Sequence, residues 1–205
     1  MVAHDSYFVF DLSGGHLALD FANTVSDRPG KALERLPVYR ELVRFGDRSG
    51  VYPPTVVDHL YAKGAQDPEL AERARQEAIR LREALFAIFA GVAKGREVPA
   101  QALVRLTVAA QTSASHGRLV EVGKRFEWRW VGMDGYLDSL LWPVTRAAID
   151  LLLSDDLKNV RMCASENCAW LFLDKTKNHG RRWCDMKVCG NRVKARRHYE
   201  RVRGE

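Results

Sequence analysis

A mainly α-helical body with one small β-hairpin, followed by a compact C-terminal module of hairpin and helix around clustered cysteines, is the fold class this sequence predicts. Three observations lead there. Apolar residues recur at helical spacing through most of residues 1–155. All four cysteines fall within residues 157–205. Charge divides at the same place: residues 157–205 carry 13 Lys+Arg against 5 Asp+Glu, a net of +8, and subtraction from the chain totals of 32 and 26 leaves 19 basic and 21 acidic residues before them, a net of −2. The remaining composition, 46% hydrophobic and 28% charged over 205 residues, is that of a globular protein long enough to bury a core.

The elements follow in order. His16 to Val25 (HLALDFANTV) suits a short helix between the Gly14-Gly15 turn and the Arg28-Pro29-Gly30 breaker. A second helix is expected from Val38 to Asp47, and a third after Pro54, a residue that fits an early helical position. The longest starts at Asp67-Pro68-Glu69, where Asp caps and Pro occupies the first turn, and runs to about Ala93 before Lys94-Gly95. Its Leu70, Ala74, Ala78, Leu81, Leu85, Ile88 and Val92 make one apolar stripe. Ala100 to Thr112 is the next helix.

The period then changes to two. Arg118–Val122 and Arg125–Val131 alternate around Gly123-Lys124, which predicts a β-hairpin with Phe126, Trp128 and Trp130 on one face. Trp128, Trp130 and Trp142 read as core residues. Tyr136 to Leu153 is helical again, and Ser154-Asp155-Asp156 is the expected boundary between a body, 1–155, and a tail domain, 156–205.

The tail carries the chemistry. Cys163 and Cys168, then Cys184 and Cys189, form two Cys-x4-Cys pairs fifteen residues apart. Two close pairs of thiolates, each on a tight knuckle, are what a tetrahedral structural zinc site needs, and its binding energy stabilises a unit too small for a large core. Four thiolates leave no open coordination position, so the one zinc expected is structural. Two disulfides or four unrelated thiols are the alternatives; a cytoplasmic location disfavours the first and the clustering disfavours the second. That location is the default because no run approaches the ~18 apolar residues of a membrane span. The N-terminus, MVAHDSYFVFDLSGG, also carries Asp5 and Asp11 where a leader would be apolar.

Between the pairs, Trp170 to Asp174 is expected as a strand, Thr176–Gly180 as a turn and Arg181–Trp183 as the return strand. GNRVKARRHYERVR is expected as a helix with Ala195, Tyr199 and Val202 facing inward. Gly190 spares the thiolates a crowding Cβ, Asn191 suits a helix cap or a donor to a cysteine sulfur, and His179 reads as a loop residue, not a ligand.

Cys189-Gly190-Asn191-Arg192 within RRWCDMKVCGNRVKARRHYERVR closely resembles the CGNR zinc finger of bacterial proteins. LALDFANTV at Leu17–Val25 and LREALFAIF at Leu81–Phe89 resemble the ABATE domain that usually accompanies it. The resemblance covers essentially the whole chain. It implies a stress-induced transcription regulator that binds double-stranded DNA through its zinc module, a treble-clef-like unit.

On that reading Lys175, Lys177, Arg181 and Arg182 on the hairpin would meet the phosphate backbone, with Arg192, Lys194, Arg196, Arg197 and Arg201 on the helix. Arg192 is equally suited to bracing the module. A solvated basic helix or one that docks an acidic protein, as in an interaction adaptor, is the plainer alternative. Asp20 and Asn23, three apart on an apolar helix, either line a pocket for a small-molecule effector or satisfy backbone groups. The body would then sense or dimerise, and a homodimer suits so small a DNA module. The sequence contains no phosphate-cradling GxxxxGK[ST], no dinucleotide fingerprint, no HExxH and no GxSxG, so an enzyme is not expected and no catalytic residue is assigned.

Overall fold

The computed structural model describes residues 9–204. The N-terminal residues up to Phe8, Asp5 of the expected N-terminal reading among them, lie outside the described residues. Seven helices carry the fold among the described residues: α1 (Leu17–Ala22), α2 (Tyr39–Ser49), α3 (Pro54–Gln66), α4 (Pro68–Lys94), α5 (Ala100–Ser115), α6 (Leu141–Leu152) and α7 (Asn191–Arg203). Three antiparallel strand pairs complete it: β1 (Val25–Ser26) with β2 (Leu33–Glu34), β3 (Gly117–Val122) with β4 (Arg125–Trp130), and β5 (Val160–Met162) with β6 (Leu171–Leu173).

Helix α4 is the axle. Asp67 Oδ1 accepts from the Leu70 amide at 2.9 Å, Pro68 opens the first turn, and Gly95 closes the helix in the left-handed conformation. Its Leu81, Leu85, Ile88 and Phe89 are fully or almost fully buried. The flanks of the same helix meet α1, α2, α3, α5 and the β5–β6 pair. Arg82, also buried, reaches across to β2, where its guanidinium forks onto both oxygens of Glu34 at 2.6 and 2.8 Å. Burial pushes the Glu34 carboxyl up, but the Arg82 hydrogen bonds and the Leu36 amide outweigh it and leave its pKa lowered.

Three expectations change in the body. Helix α1 ends at Ala22 and not near Val25, because Asn23 turns its side chain to another strand and Val25 pairs with Glu34. The stretch from Tyr136 becomes helical only at Leu141. The carbonyls of Leu137 and Leu140, which a continuous helix would have used, accept from the buried hydroxyls of Tyr39 (2.9 Å) and Tyr52 (2.5 Å). The β3–β4 hairpin packs chiefly on itself, so Trp128 and Phe126 are exposed and Trp130 is only half-buried. Trp142 alone of the three tryptophans expected inside is core, 2% exposed and stacked on His116 at 4.2 Å.

The last strand pair ties tail to body. Val160, Leu171 and Leu173 belong to the same apolar core as α1 and α4, while Phe172, on the other face of β6, packs with the four cysteines. No helix among the described residues is long and apolar enough to cross a membrane.

Candidate metal centre and nucleic-acid interface

The two cysteine pairs arrive by different routes. Cys163 and Cys168 sit on the loop joining β5 to β6, held by Cys163 N–H donating to the Trp170 carbonyl (2.8 Å) and Cys168 N–H to the Ser165 carbonyl (3.1 Å). Ala169 adopts a left-handed φ of 60° to close that knuckle. Cys184 and Cys189 flank a wide helical turn, Met186–Gly190, started by Asp185, whose carboxylate accepts from the Val188 amide at 2.7 Å. All four thiols are buried and their sulfurs lie within 4.8 Å of one another, with Cys168 to Cys184 at 3.5 Å and Cys184 to Cys189 at 3.6 Å. A tetrahedron of thiolates at a zinc–sulfur distance of ~2.3 Å has edges of about 3.8 Å.

The chemistry of the donors agrees. With no cation between them the sulfurs cannot all ionise. S–H groups of Cys168 and Cys184 hold Cys163 low, and the same contacts together with burial push Cys168 up to about 12 and Cys184 higher still. A divalent soft cation removes that conflict, and four buried sulfurs leave it no water position. This is the site of one structural zinc ion.

The scaffold around it differs from the expected hairpin. Residues 181–183 form no strand, and β6 pairs with β5 across the first knuckle. The chain after β6 is instead folded by Asp174. Its fully buried carboxylate accepts from the Thr176 amide (3.0 Å) and hydroxyl (2.6 Å) on one oxygen and from the Arg181 amide (2.9 Å) on the other. Those bonds spend the backbone donors that a return strand would have used. Burial raises Asp174, but the Thr176 and Arg181 bonds outweigh it and lower its pKa. His179 closes the same turn, its Nδ1 3.0 Å from the Asp174 carbonyl, at a left-handed φ of 44°.

The basic residues separate into two kinds. Arg181 is committed to the interior: it donates to the carbonyls of Trp183 (3.0 Å), Ser13 (3.2 Å) and Cys184, and its guanidinium lies 4.4 Å from the Phe172 ring centroid. Arg196 is paired with Glu166 and with Glu200 (2.8 Å). Lys175, Lys177, Arg182, Arg192, Lys194, Arg197 and Arg201 are exposed, and none makes an ion pair among the described residues. The inward stripe expected on α7 is absent, since Tyr199 is 66% and Val202 71% exposed and the helix buries no residue. The helix projects from the metal knuckle and packs chiefly against the Met186–Gly190 turn. Asn191 makes no capping bond. A Cβ at Gly190 would meet the Met186 thioether at 2.5 Å, and not the thiolates, so it would displace the exposed Met186 side chain.

Asn23 and Asp20 also separate. Asn23 Nδ2 donates to the Leu171 carbonyl (2.8 Å) and its Oδ1 accepts from the Leu171 amide (2.9 Å), so its amide is spent on the open edge of β6 and not presented to a ligand. The Leu173 amide donates to the Gly14 carbonyl (2.8 Å) along that same edge. Asp20 is 7% exposed and its Oδ1 has no hydrogen-bond partner. Burial pushes its carboxyl up to about 7, against a weaker pull from the Gly14 and His16 amides.

Two residues that sequence reading did not single out, Asp185 and Glu166, thus help organise the site, and Asp174, expected only to end the strand or pair with a neighbouring basic residue, folds the loop after it. Asp and Glu in short polar loops give no periodic signal, and only the Asp174-Lys175-Thr176 sequence, an Asp two residues before a turn amide, hints at the Asp174 turn.

No curated protein matches the chain. Residues 159–202 match the CGNR zinc finger, and residues 15–155 match the ABATE model, described as "Putative stress-induced transcription regulator". Neither description is that of an enzyme. With that match spanning most of its length and a four-thiolate zinc centre at its end, the chain belongs to the ABATE family and carries a CGNR zinc finger.

Proposed function

We propose that this protein is a cytoplasmic transcription regulator that binds double-stranded DNA through its zinc module, residues 156–205, while residues 1–155 sense an effector or form the dimer contact. The observation that carries the reading is α7. It is polar all round, buries no residue, and holds six basic residues against the single acid Glu200. A basic helix that buries no side chain on its own protein is available to an anionic partner. Zinc would anchor the Met186–Gly190 turn through Cys189, two residues before α7 begins, so the start of the helix is held in place, as in groove-reading or backbone-clamping helices. The seven exposed, unpaired cations supply the counterion-releasing contacts, and Arg181 and Arg196 serve the scaffold instead.

The test uses the full zinc-loaded chain, because β5 and β6 share the body's core. Fluorescence anisotropy of a random-sequence duplex is read between about 50 and 200 mM salt, with and without a chelator. If each of the seven cations neutralises one phosphate, the slope of log K against log salt is about −6. Arg197→Ala and Lys194→Ala should each flatten it by about 1. Absence of binding at low salt by folded, zinc-loaded protein would overturn the reading and favour a protein-docking role for α7.

A further inference from the structure

Asp20 lines a cavity of about 170 Å³ together with Val9, Phe10, Asp11, Asn23, Thr24, Arg35 and Trp170. The cavity is shared between the two parts of the chain: Asp20, Asn23 and Thr24 belong to the body, whereas Trp170 is the residue whose carbonyl holds the Cys163 amide of the metal knuckle. A cavity of ~150 Å³ accepts a ligand the size of benzene, so this one accepts about six to eight non-hydrogen atoms.

Its chemistry is that of a cation site. A nine-tenths-buried carboxylate with an unpartnered oxygen is costly unless something pairs it. Asp11 adds a second carboxylate, one oxygen of which accepts from the Ser13 amide. Against these two stands one guanidinium, Arg35, which donates to Ser26 Oγ at 3.2 Å. Trp170 offers an aromatic wall, which an ammonium or its adjoining carbons can approach.

We propose that this cavity is an effector site for a small organic amine, whose ammonium pairs with Asp20 and whose apolar part lies against Trp170. Binding there is coupled to the zinc module. Asp20 and Asn23 lie on the same turn, Asn23 grips both backbone groups of Leu171, and Gly14, packed on the Asp20 carboxylate, holds Leu173. An amine drawn to Asp20 therefore tightens the seam that positions β6 and the first cysteine pair. The proposal rests on the sensing half of the regulatory reading and is independent of DNA.

The experiment is calorimetric titration of the full zinc-loaded chain with benzylamine and with its neutral counterpart benzyl alcohol, in the absence of DNA. Benzylamine is expected to bind and benzyl alcohol to bind at least tenfold more weakly. Asp20→Asn should abolish the difference, and Asp11→Asn, at an exposed position where folding is not at risk, should weaken the amine about threefold. Equal binding of amine and alcohol, no amine binding at millimolar concentration, or unchanged amine affinity in both variants would each overturn the site. Amide exchange of residues 171–173 is the readout of coupling: slowing on benzylamine binding supports it, and no change with the ligand bound overturns the coupling while leaving the site. Loss of DNA binding with amine binding intact would strike the DNA reading alone.

Discussion

Two side chains on one turn of α1 act in opposite ways. Asn23 behaves as a strand surrogate, giving and taking one hydrogen bond at Leu171 where no neighbouring strand exists. Replacing it with Ala strands two buried backbone groups, each costing ~1–3 kcal/mol, so Asn23→Ala should lose about 3 kcal/mol in urea unfolding and expose the Leu171 amide to exchange. Asp20 is a standing cost to the fold. Its folded pKa of about 7 exceeds the ordinary 3.8, so its stabilising contribution is full below about pH 4, declines as pH rises, and is gone above 7. Asp20→Asn should therefore gain on the parent by about 2 kcal/mol between pH 5.5 and 8, read from unfolding midpoints with zinc bound. Glu34, lowered by Arg82, works in the reverse sense and loses its contribution as pH falls.

The elements show where periodicity suffices and where it fails. Helices α2, α4 and α5 agree with their sequence expectation because apolar spacing points the same way as the local signals, Gly50 closing α2, Asp67 and Gly95 capping α4, and Pro99 preceding α5. The β3–β4 hairpin was equally legible as a hairpin, yet its aromatic face is not core. Alternation reports which residues share a face and not whether anything covers it. Gly117 shows how that face is arranged: it leaves room for the Trp128 ring, which a Cβ would meet at 1.8 Å. Gly117→Ala should displace Trp128 from Arg146, red-shift tryptophan emission and cost about 1–2 kcal/mol. For α7 the period suggested an inward stripe at Ala195, Tyr199 and Val202, but the helix meets the protein chiefly near its start, at the Met186–Gly190 turn and through Arg196 to Glu166, and that stripe stays exposed.

At the scale of the molecule, body and zinc module share strands. Because Val160, Leu171 and Leu173 sit in the main core, loss of zinc cannot stay local. Chelation should lower the thermal midpoint of the whole chain in one transition and accelerate amide exchange in α1 as well as in the knuckles. Two separate transitions, with the helical signal unchanged by chelator, would show instead that the seam at Asn23 is dispensable.

The sequence by itself determined the helical body, the four zinc-binding cysteines and the basic surplus of the tail. These rest on residue type and local spacing, which survive without knowledge of distant contacts. Tertiary structure alone decided the rest. It selected Arg181 and Arg196 out of the basic set, spent the Asn23 amide on a clamp at Leu171, and made Asp174 the organiser of the loop. It also left one Asp20 oxygen without a hydrogen-bond partner, on a carboxylate that lines the same cavity as Trp170. Asn23 and Leu171 lie 148 residues apart and Arg181 and Ser13 168 apart, while the Asp174 bonds to Thr176 and Arg181 are close in sequence but aperiodic; neither kind leaves a period to read.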